Sequence, residues 1–502
     1  MSSERRLHPA SFLFIMGGQL KELLLPGLIV VFTAGSTGRD WETWLMLLVI
    51  PYTILALGRT VSYRYRFDEG EMVVRTGFVF RNERRIPYAR IQSIDGIARL
   101  PHRLLGVVEV RVQTGAGAEP EAIMRVLPLG AAAEMRDRVA VRKGTAEPPG
   151  GAAPVPVPTA TPVLRLPLGE LLLAGFIDNR GVVVIAAAFG LLWEFGLLNR
   201  VSEAVSGSAD AGRGVIRQFA RALIGGGVPS ARYVFLSLLA FAVVLAFIRL
   251  LSMAQSAIRL YGFTLVRDGE ELRAEYGLFT RITSTIPLRR IQLLTVTETP
   301  LHRLFARVNI RVDTAGGGAS GQGTAQREAL APIVRTRDLA GVLGEVLPGI
   351  AVTGTVWQPV ARGAARREFI RRAVPSGVIS AAALMMLGRW TFVLLAGLLA
   401  IAAFSARRYV GALGWAAGDG AVLVRSGWLW RTLRVTRYSR IQAVRMTESP
   451  FDRRTRMGRV AVDTAGAGGA ARGIEIPYLP RQTASVLRRT LTAEAARTTF
   501  RW

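Results

Sequence analysis

One long stretch of sequence occurs three times in this chain, and the repetition constrains the fold more than any other feature. The copies occupy 77–116, 277–316 and 427–466 and align without a gap. Repetition of this kind is typical of a chain that folds as a series of similar units. All three copies share these residues: Gly77, Gly277 and Gly427; Arg81, Arg281 and Arg431; Arg90-Ile91-Gln92, Arg290-Ile291-Gln292 and Arg440-Ile441-Gln442; Arg103, Arg303 and Arg453; Thr114, Thr314 and Thr464.

Short alternating runs within the repeats predict β-strands. In the first copy, polar and apolar residues alternate over 63–75 around the turn Asp68-Glu69-Gly70, and again over 84–94 and 107–114. Alternation of period two is the pattern of a strand with one buried face. A helix is predicted to close each unit, at 129–139, 337–346 and 481–497. Antiparallel strands followed by a helix make a small α+β domain.

Apolar stretches before each copy predict membrane spans. The mean hydropathy of the chain is +0.31, which is high for a soluble protein. Two spans precede each polar unit, so each pair would form a helical hairpin and all three units would lie on one side of the membrane. The predicted spans are 23–34, 41–57, 182–198, 233–251, 374–387 and 390–404, with lead-in helices at 11–19, 167–176 and 357–372.

The predicted organisation has seven segments. The first and third hairpin turns are short and the polar units are rich in Arg, so the positive-inside rule places the N-terminus and all three units in the cytoplasm. Arg213, Arg217 and Arg221 in the second turn argue the other way, but an even number of spans keeps the units together. The segments are a lead-in helix and hairpin at 1–58, a first domain at 59–143, a Pro-rich linker at 144–166, a second hairpin at 167–253, a second domain at 254–347, a lead-in helix and third hairpin at 348–405, and a third domain at 406–502.

The charge of the chain predicts an anionic partner. Lys and Arg number 64 against 36 Asp and Glu, a formal net charge of +28. Nucleic acid and anionic lipid headgroups both fit such a charge, but the basic residues lie on strands close to the predicted membrane spans. Lipid is therefore the favoured partner, and no nucleic acid is expected. The predicted location is the plasma (inner) membrane.

Catalytic and metal motifs are not found in the sequence. The chain has no Cys and three His, so neither a thiolate site nor a multi-His metal site is predicted. A phosphate loop, a nucleophile elbow, a zincin motif and a dinucleotide fingerprint are all missing. The sequence therefore predicts a protein that is not an enzyme and has no cofactor.

The second copy carries motifs that resemble the bacterial PH-like domain of type 2. They are Ile-Pro-x-x-Arg-Ile-Gln at 286–292, Pro-Leu-His-Arg-Leu at 300–304 and Asp-Thr-Ala-Gly at 313–316. Three such domains, each after a membrane hairpin, resemble the YdbT family of bacterial membrane proteins over nearly the whole chain. The resemblance implies that each domain is a strongly bent antiparallel sheet, a partly open barrel, capped by a C-terminal helix. It also implies a smaller single-PH-domain membrane protein as a partner.

The other copies depart from these motifs in two places. The first copy has Gln113-Thr114-Gly115-Ala116 in place of Asp-Thr-Ala-Gly. The third copy has Val435-Thr436 in place of Ile-Pro, and Asp452 in place of the His. These differences argue against a general requirement for the His.

Eight arginines on or beside the predicted strands are candidate ligand or lipid contacts. A guanidinium binds phosphate in a bidentate manner, but it also tethers backbone carbonyls or carboxylates inside a fold. For the arginine of the Arg-Ile-Gln tripeptide both roles stay open. For the others the alternative is ordinary positive-inside bias. The candidates are Arg81, Arg84, Arg85, Arg90, Arg281, Arg290, Arg431 and Arg440.

Other singled-out residues have structural roles as their main interpretation. Thr299-Pro300 and Ser449-Pro450 have the pattern of helix starts, with a hydroxyl cap followed by Pro in the first turn. His102 and His302 titrate near neutrality, but each lacks a neighbouring His or carboxylate motif, so a structural role is the main interpretation, and His8 is the remaining histidine. The charged residues Glu194 and Arg249 fall near the ends of predicted spans, where snorkelling is the alternative to a role in a transport pathway.

The leading hypothesis is a non-catalytic integral membrane scaffold. Its three cytoplasmic PH-like domains would bind a partner protein or the anionic lipid surface. The alternative is a component that transports or exports a small molecule or lipid through the six-helix membrane part. Few polar residues occur in the predicted spans, and no broken helices are indicated, which counts against transport.

The hairpin pattern predicts one topology that labelling can check. The chain is free of Cys, so single cysteines introduced at Gly115, Gly318 and Gly468 report one position each. In intact cells all three should resist a membrane-impermeant thiol reagent and should react after the membrane is permeabilised. Labelling of any one of them from outside would overturn the arrangement.

Overall fold

A computed structural model describes ten stretches of the chain. The predicted spans at 23–34, 41–57 and 182–198, together with Glu194, lie outside these stretches. Two compact units are formed, one from 1–164, 264–275 and 280–502 and the other from 165–263 and 276–279. The described residues are 5–6, 63–77, 81–114, 122–144, 161–178, 231–315, 329–352, 354–388, 390–465 and 473–497.

The repeats share one order of elements, as the α+β prediction requires. Three antiparallel strands lead into a 3-10 turn, a fourth strand, a five-residue helix, two more strands and a longer helix. A two-residue strand, β1 (Arg5–Arg6), pairs with the first strand of the first repeat. The first repeat consists of β2 (Arg64–Phe67), β3 (Glu71–Thr76), β4 (Asn82–Pro87), the turn Tyr88–Arg90, β5 (Ile91–Arg99), α1 (Leu100–Leu104), β6 (Val107–Thr114), β7 (Ala122–Pro128) and α2 (Leu129–Gly144).

The later repeats follow helices that the sequence assigned to the membrane. Between the first two repeats lie β8 (Thr161–Arg165), α3 (Leu168–Ile177) and α4 (Ala231–Leu260). The second repeat consists of β9 (Thr264–Asp268), β10 (Glu271–Tyr276), β11 (Thr280–Pro287), the turn Leu288–Arg290, β12 (Ile291–Glu298), α5 (Pro300–Leu304), β13 (Arg307–Thr314), β14 (Ala329–Arg335), a 3-10 turn Thr336–Asp338 and α6 (Leu339–Val346). After α7 (Ala364–Leu387) and α8 (Trp390–Ala412), the third consists of β15 (Gly414–Gly418), β16 (Ala421–Ser426), β17 (Arg431–Arg437), the turn Tyr438–Arg440, β18 (Ile441–Thr447), α9 (Pro450–Arg454), β19 (Met457–Thr464), β20 (Ile474–Pro480) and α10 (Arg481–Arg497).

The glycine that begins each copy is explained by its backbone conformation. Gly77, Gly277 and Gly427 have φ values of 105°, 113° and 84°. Side chains strongly disfavour this region, whereas glycine enters it at little cost. A Cβ at Gly427 would also lie 1.9 Å from the carbonyl oxygen of Trp430. The shared glycine therefore permits the turn between the second and third strands.

The first and third repeats bury the apolar face of their strands under their closing helices. In the first repeat, Met72, Ile91, Val110 and Met124 from four strands are fully buried, together with Met135 of α2. Burial of one such side chain stabilises the fold by roughly 1.5–3 kcal/mol. The third repeat is closed in the same way by Leu487 and Leu491 of α10. The predicted helix at 481–497 is confirmed to the residue.

The strands of neighbouring repeats join into continuous sheets. One sheet has the order β7-β6-β5-β11-β10-β9-β8, so the last three strands of the first repeat extend into the first three of the second. A second sheet, β14-β13-β12-β17-β16-β15, joins the second repeat to the third in the same manner. The two ends of the array are the smaller sheets β1-β2-β3-β4 and β18-β19-β20.

The two junctions between repeats have the same register. Arg281 of β11 lies opposite Ala98 of β5. Arg431 of β17, which is the equivalent of Arg281, lies opposite Glu298 of β12, which is the equivalent of Ala98. A slip of one residue would turn every side chain of a strand to the other face of the sheet. The chain therefore builds one interface twice.

Two described helices are long and apolar enough to cross a membrane. They lie at Val234–Leu260, within α4, and at Trp390–Ala412, which is α8. They cover the predicted spans at 233–251 and 390–404. The predicted span at 374–387 is also helical, but it forms part of α7 and does not meet the same test. A membrane part of six helices therefore remains a prediction.

The boundary predicted between the third lead-in helix and its span is wrong. The sequence predicts a lead-in helix at 357–372 and a separate span from 374. The structure instead has one helix from Ala364 to Leu387, with Pro375 inside it. Proline removes one backbone donor and bends a helix, but it does not always end one. Ser376 donates a hydrogen bond back to the carbonyl of Arg372 beside the missing donor.

In the unit formed by 165–263 and 276–279, α3 packs closely against α4. A Cβ at Gly175 would lie 2.6 Å from both the Cα of Met253 and the carbonyl oxygen of Ser252, so glycine sets this close approach. The hydroxyl of Ser252 donates to the Gly175 carbonyl, and Arg249 donates to the Phe176 carbonyl at the end of α3. Arg249, predicted as a charge near a span end, thus contacts a helix C-terminus, where a cation is favourable.

A buried carboxylate ties α7 to the third repeat. Glu368 has no exposed side-chain surface and accepts hydrogen bonds from Arg371, Arg372 and the Tyr478 hydroxyl at 2.6–2.8 Å. Burial by itself raises the pKa of the Glu368 carboxyl, but these hydrogen bonds outweigh it and hold the pKa below its usual range. A second contact, Arg367 with Asp452 at 3.3 Å, lies beside it.

Neutralising this carboxylate should destabilise the protein. Replacing Glu368 with Gln weakens hydrogen bonds to charged groups, which are worth about 1.5–3 kcal/mol. The pKa of the Glu368 carboxyl is lower in the folded protein than in the unfolded chain, where a Glu carboxyl has a pKa of about 4.3. Its contribution to stability is therefore complete above about pH 4.3 and is lost as the pH falls from there through the folded-state pKa. Unfolding of the full chain in detergent should therefore show a deficit at pH 7 that shrinks in acid.

The matched control is Glu494→Gln in α10, where the ion pair with Arg497 is exposed. Exposed pairs contribute at most about 1 kcal/mol, so this variant should unfold like the parent. Equal stability of Glu368→Gln and the parent at pH 7 would contradict the assigned role.

Candidate functional site

A basic cavity lies at the end of α8, within the unit that holds the third repeat. Its volume is about 890 Å³. It is lined by the last turns of α8, the hairpin of β16 and β17, and residues of β12 and α5. Its charged and aromatic lining residues are Glu298, Arg303, Trp357, Phe404, Arg407, Arg408, Arg425, Trp428 and Arg431.

The apolar run of α8 ends at this cavity. Within the candidate membrane span, Arg407 and Arg408 directly follow the apolar run at 390–406. The guanidinium of Arg408 lies 5.3 Å from the ring centroid of Phe404, which itself packs edge-on against Trp428 with centroids 5.7 Å apart. The side chain of Arg407 is exposed and has neither a hydrogen bond nor an ion pair to any described residue. The helix therefore delivers two cations to the boundary of its own apolar segment.

The opposite wall combines an arginine with a tryptophan. The guanidinium of Arg425, on β16, lies 4.8 Å from the ring centroid of Trp357. Such a cation–π contact is worth roughly 0.5–1 kcal/mol at an exposed site and leaves the N–H groups available at the ring edge. Trp357 precedes α7, within the segment predicted as an amphipathic lead-in.

Arg303 shapes the cavity from the neighbouring repeat. It lies in α5 of the second repeat, and its two terminal nitrogens donate to the carbonyls of Trp428 and Leu429, each at 3.1 Å. These carbonyls belong to the turn between β16 and β17 of the third repeat. The planar fork of a guanidinium suits two adjacent acceptors, whereas an ammonium does not. Arg303 thus fastens one repeat to the next.

The cavity has an excess of positive charge. It is lined by five arginines and one glutamate, Glu298, which lies 3.5 Å from Arg431. Arg303 is held by two carbonyls, which leave its charge uncompensated. Convergent guanidinium groups beside aromatic rings can bind an anionic oxygen group such as a phosphate.

Of the eight predicted contact residues, Arg431 alone lines the cavity. Arg85 and Arg281 are exposed and form ion pairs with acidic residues on their own sheets. Arg81, Arg84 and Arg90 are exposed. Arg440 is half-buried, and burial together with the charges of Arg437 and Arg289 lowers its pKa. The structure therefore does not bring the eight together, and their contact with ligand stays a prediction.

The alternating pattern predicts that Arg290 lies in a strand, and this prediction is wrong. It is the last residue of the 3-10 turn Leu288–Arg290, which interrupts the alternating run after Pro287. Its guanidinium donates to the carbonyl of Ala315, next to the closing Thr314 of the repeat. The neighbouring Gln292 is buried. This contact is the kind of backbone tether that was one of the two predicted alternatives.

The predicted helix starts are confirmed. The Thr299 hydroxyl accepts from the backbone N–H of His302, and Pro300 occupies the first turn. His302 is buried, with Nδ1 2.8 Å from the same hydroxyl. In the third repeat, Ser449 and Asp452 form a reciprocal capping box. Asp452 therefore replaces the histidine while still contacting the N-cap, which explains how the third copy departs from the motif.

Four arginines of the cavity were not among the predicted contacts. Arg303 carried a signal, because it belongs to the set shared by all three copies. Arg407 and Arg408 also carried one, as adjacent cations directly after a predicted span. Arg425 carried no sequence signal, because its position depends on how the third repeat packs against Trp357.

Within the described stretches, no group of three His, Cys, Asp or Glu could hold a metal ion.

Comparisons with known proteins agree with the motifs. The family model described as "Bacterial PH domain" matches residues 22–143, 220–347 and 369–495, which together cover more than half of the chain. The chain is also similar to the UPF0699 transmembrane protein YdbT of Bacillus subtilis (strain 168), with 22% identity over 484 residues. The match covers 91% of this chain and 92% of that protein. No solved structure matches the chain significantly.

Loss of the Arg303 fork should loosen the junction between the second and third repeats. Arg303→Ala leaves two half-buried carbonyls without their donor, which costs about 1–3 kcal/mol. Arg303→Lys should rescue little. Amide hydrogen exchange in the full-length protein should accelerate in the β16–β17 turn at 426–431.

The matched control for this experiment is Arg453→Ala. Arg453 is the equivalent residue of the third repeat, where its side chain is exposed and has no hydrogen-bond or ion-pair partner among the described residues. Its removal should leave exchange at 426–431 unchanged. Equal effects of the two substitutions would contradict the role of Arg303.

Proposed function

This chain belongs to the bacterial PH domain family, and on that premise we propose that it is a non-catalytic integral membrane scaffold. Its PH-like domains hold the anionic lipid surface of the membrane in which its helices are anchored. The single observation that carries the proposal is the cavity of five arginines at the end of α8. The similarity to a protein named as transmembrane supports the membrane assignment.

The position of the cavity favours a lipid headgroup as its occupant. Two of the arginines, Arg407 and Arg408, directly follow the apolar run 390–406 within α8, which is the depth at which headgroup phosphates lie. Each basic residue near an anionic leaflet adds about 1 kcal/mol of attraction. Trp357 and Trp428 supply amphipathic rings of the kind that favour the membrane interface.

The proposed topology has several membrane passes, with the N-terminus and the three PH-like domains in the cytoplasm of a plasma (inner) membrane protein. It is supported by the cations at the end of α8, which agree with the positive-inside rule.

A smaller membrane protein with a single PH-like domain remains a proposed protein partner. The exposed strand edges at the two ends of the array support contacts with other chains.

Removing the cations of α8 should weaken the retention of anionic lipid. The double variant Arg407→Ala, Arg408→Ala loses two charges, about 2 kcal/mol of attraction in all. Full-length protein is reconstituted into nanodiscs that contain phosphatidylglycerol and phosphatidylcholine. After extraction in mild detergent, native mass spectrometry should show fewer retained phosphatidylglycerol molecules than on the parent protein, and salt should reduce the parent's count.

The matched control is Arg454→Ala, Arg489→Ala, which removes the same charge at exposed positions in α9 and α10. This variant should keep the parent's lipid count, because neither residue lines the cavity. Equal lipid counts for the parent and the α8 variant would reject the proposal, as would equal losses in both variants.

A further inference from the structure

The array of repeats ends in two strand edges without a neighbour among the described residues. β5 and β12 each pair on one side with the next strand of their own repeat and on the other with the next repeat. β18, their equivalent in the third repeat, has one neighbour, β19. β4, the equivalent of β11 and β17, likewise has one neighbour, β3. Each junction pairs the fourth strand of one repeat with the third strand of the next. Among the described residues, the fourth strand of the last repeat, β18, and the third strand of the first repeat, β4, are both left open on one side.

Side chains on the open β18 edge are exposed where their equivalents are buried. Gln292 and Leu293 of β12 are 5% and 2% exposed. Gln442 and Ala443 occupy the same positions of β18 and are exposed. An open edge with available N–H and C=O groups is a template for pairing with another chain.

Arg453 carries the second observation. In the internal junction, Arg303 donates to two carbonyls of the next repeat's hairpin turn. Arg453 stands at the same place in α9, and no described residue accepts a hydrogen bond from its guanidinium. The third repeat therefore presents both the strand and the arginine fork of a junction, and no other described repeat pairs with them.

We propose that β18 pairs antiparallel with β4 of a second copy of this chain, in the register of the two internal junctions. That register places Thr447 opposite Asn82, as Thr297 lies opposite Thr432. It also places Glu448 opposite Arg81, as Glu298 lies opposite Arg431 with 3.5 Å between the charged groups. Such head-to-tail contacts give open chains or closed rings of copies lying side by side in one membrane.

One pair in this register weakens the contact. Arg445 of β18 lies opposite Arg84 of β4, and like charges directly opposed across strands are unfavourable. The first repeat has Asp95 at the position of Arg445, and its carboxylate accepts from the backbone N–H of Thr285 across the junction. Copies therefore associate more weakly than repeats within one chain, and Arg445→Asp should strengthen the association about 1.5- to 5-fold.

Cysteine pairs test the register directly, because the chain is free of Cys. Two full-length versions with different tags, one with Thr447→Cys and the other with Asn82→Cys, are produced in the same membranes. Opposite Cβ atoms in a sheet are about 4.5–5.5 Å apart, within reach of a short thiol cross-linker. We expect a cross-linked product that carries both tags.

The control moves the cysteine by one residue, to Met446→Cys against Asn82→Cys. Its side chain points to the other face of the strand, so its yield should be much lower. Arg453→Ala should reduce the yield of the matched pair, and Arg445→Asp should raise it.

Equal yields for the matched and shifted pairs, or no product with both tags, would overturn the proposal. A Thr447→Cys product with another membrane protein in place of the Asn82→Cys copy would also overturn it, because the occupant of β18 would then be a different chain. The test does not depend on lipid binding at the cavity, so the two proposals can fail separately.

Discussion

Strand pairing between repeats is the interaction on which the rest of the described structure depends. Each junction extends the last three strands of one repeat into the first three strands of the next. The backbone donors and acceptors of β5 and β12 are thereby used on both sides, and most of their described side chains are buried. The cavity at the end of α8 follows from this pairing, because one of its walls comes from the second repeat and another from the third.

Local features of this fold follow from the sequence, whereas contacts between repeats do not. The repeat, the capped short helices and the closing helix at 481–497 depend on residues close together in the chain, so short patterns predict them. The sequence pattern predicts a strand at Arg290 because alternation continues across the 3-10 turn that separates β11 from β12. The pairing of β12 with β17 joins residues more than a hundred positions apart, and no local pattern indicates it.

The arginines of the repeats have different roles, although they recur at the same positions. Arg303 joins two repeats and helps to enclose the cavity, whereas Arg453 stands exposed beside an open edge. Arg281 pairs with Glu275 on its own sheet, but Arg431 pairs with Glu298 across a junction. A conserved position within a repeat therefore does not imply a conserved partner. Neighbouring acids and the presence of a following repeat decide what each guanidinium binds.

The common register of the two junctions has a consequence for how such a chain changes in evolution. Because β11 and β17 meet their partners at equivalent residues, unequal recombination at the shared Arg-Ile-Gln codons would delete or duplicate one whole repeat with its helices. The new neighbours would still meet in the correct alignment, with the same face inward. Gene lengths differing by whole repeats are therefore compatible with folding at every step, without intermediates in which strands are misaligned.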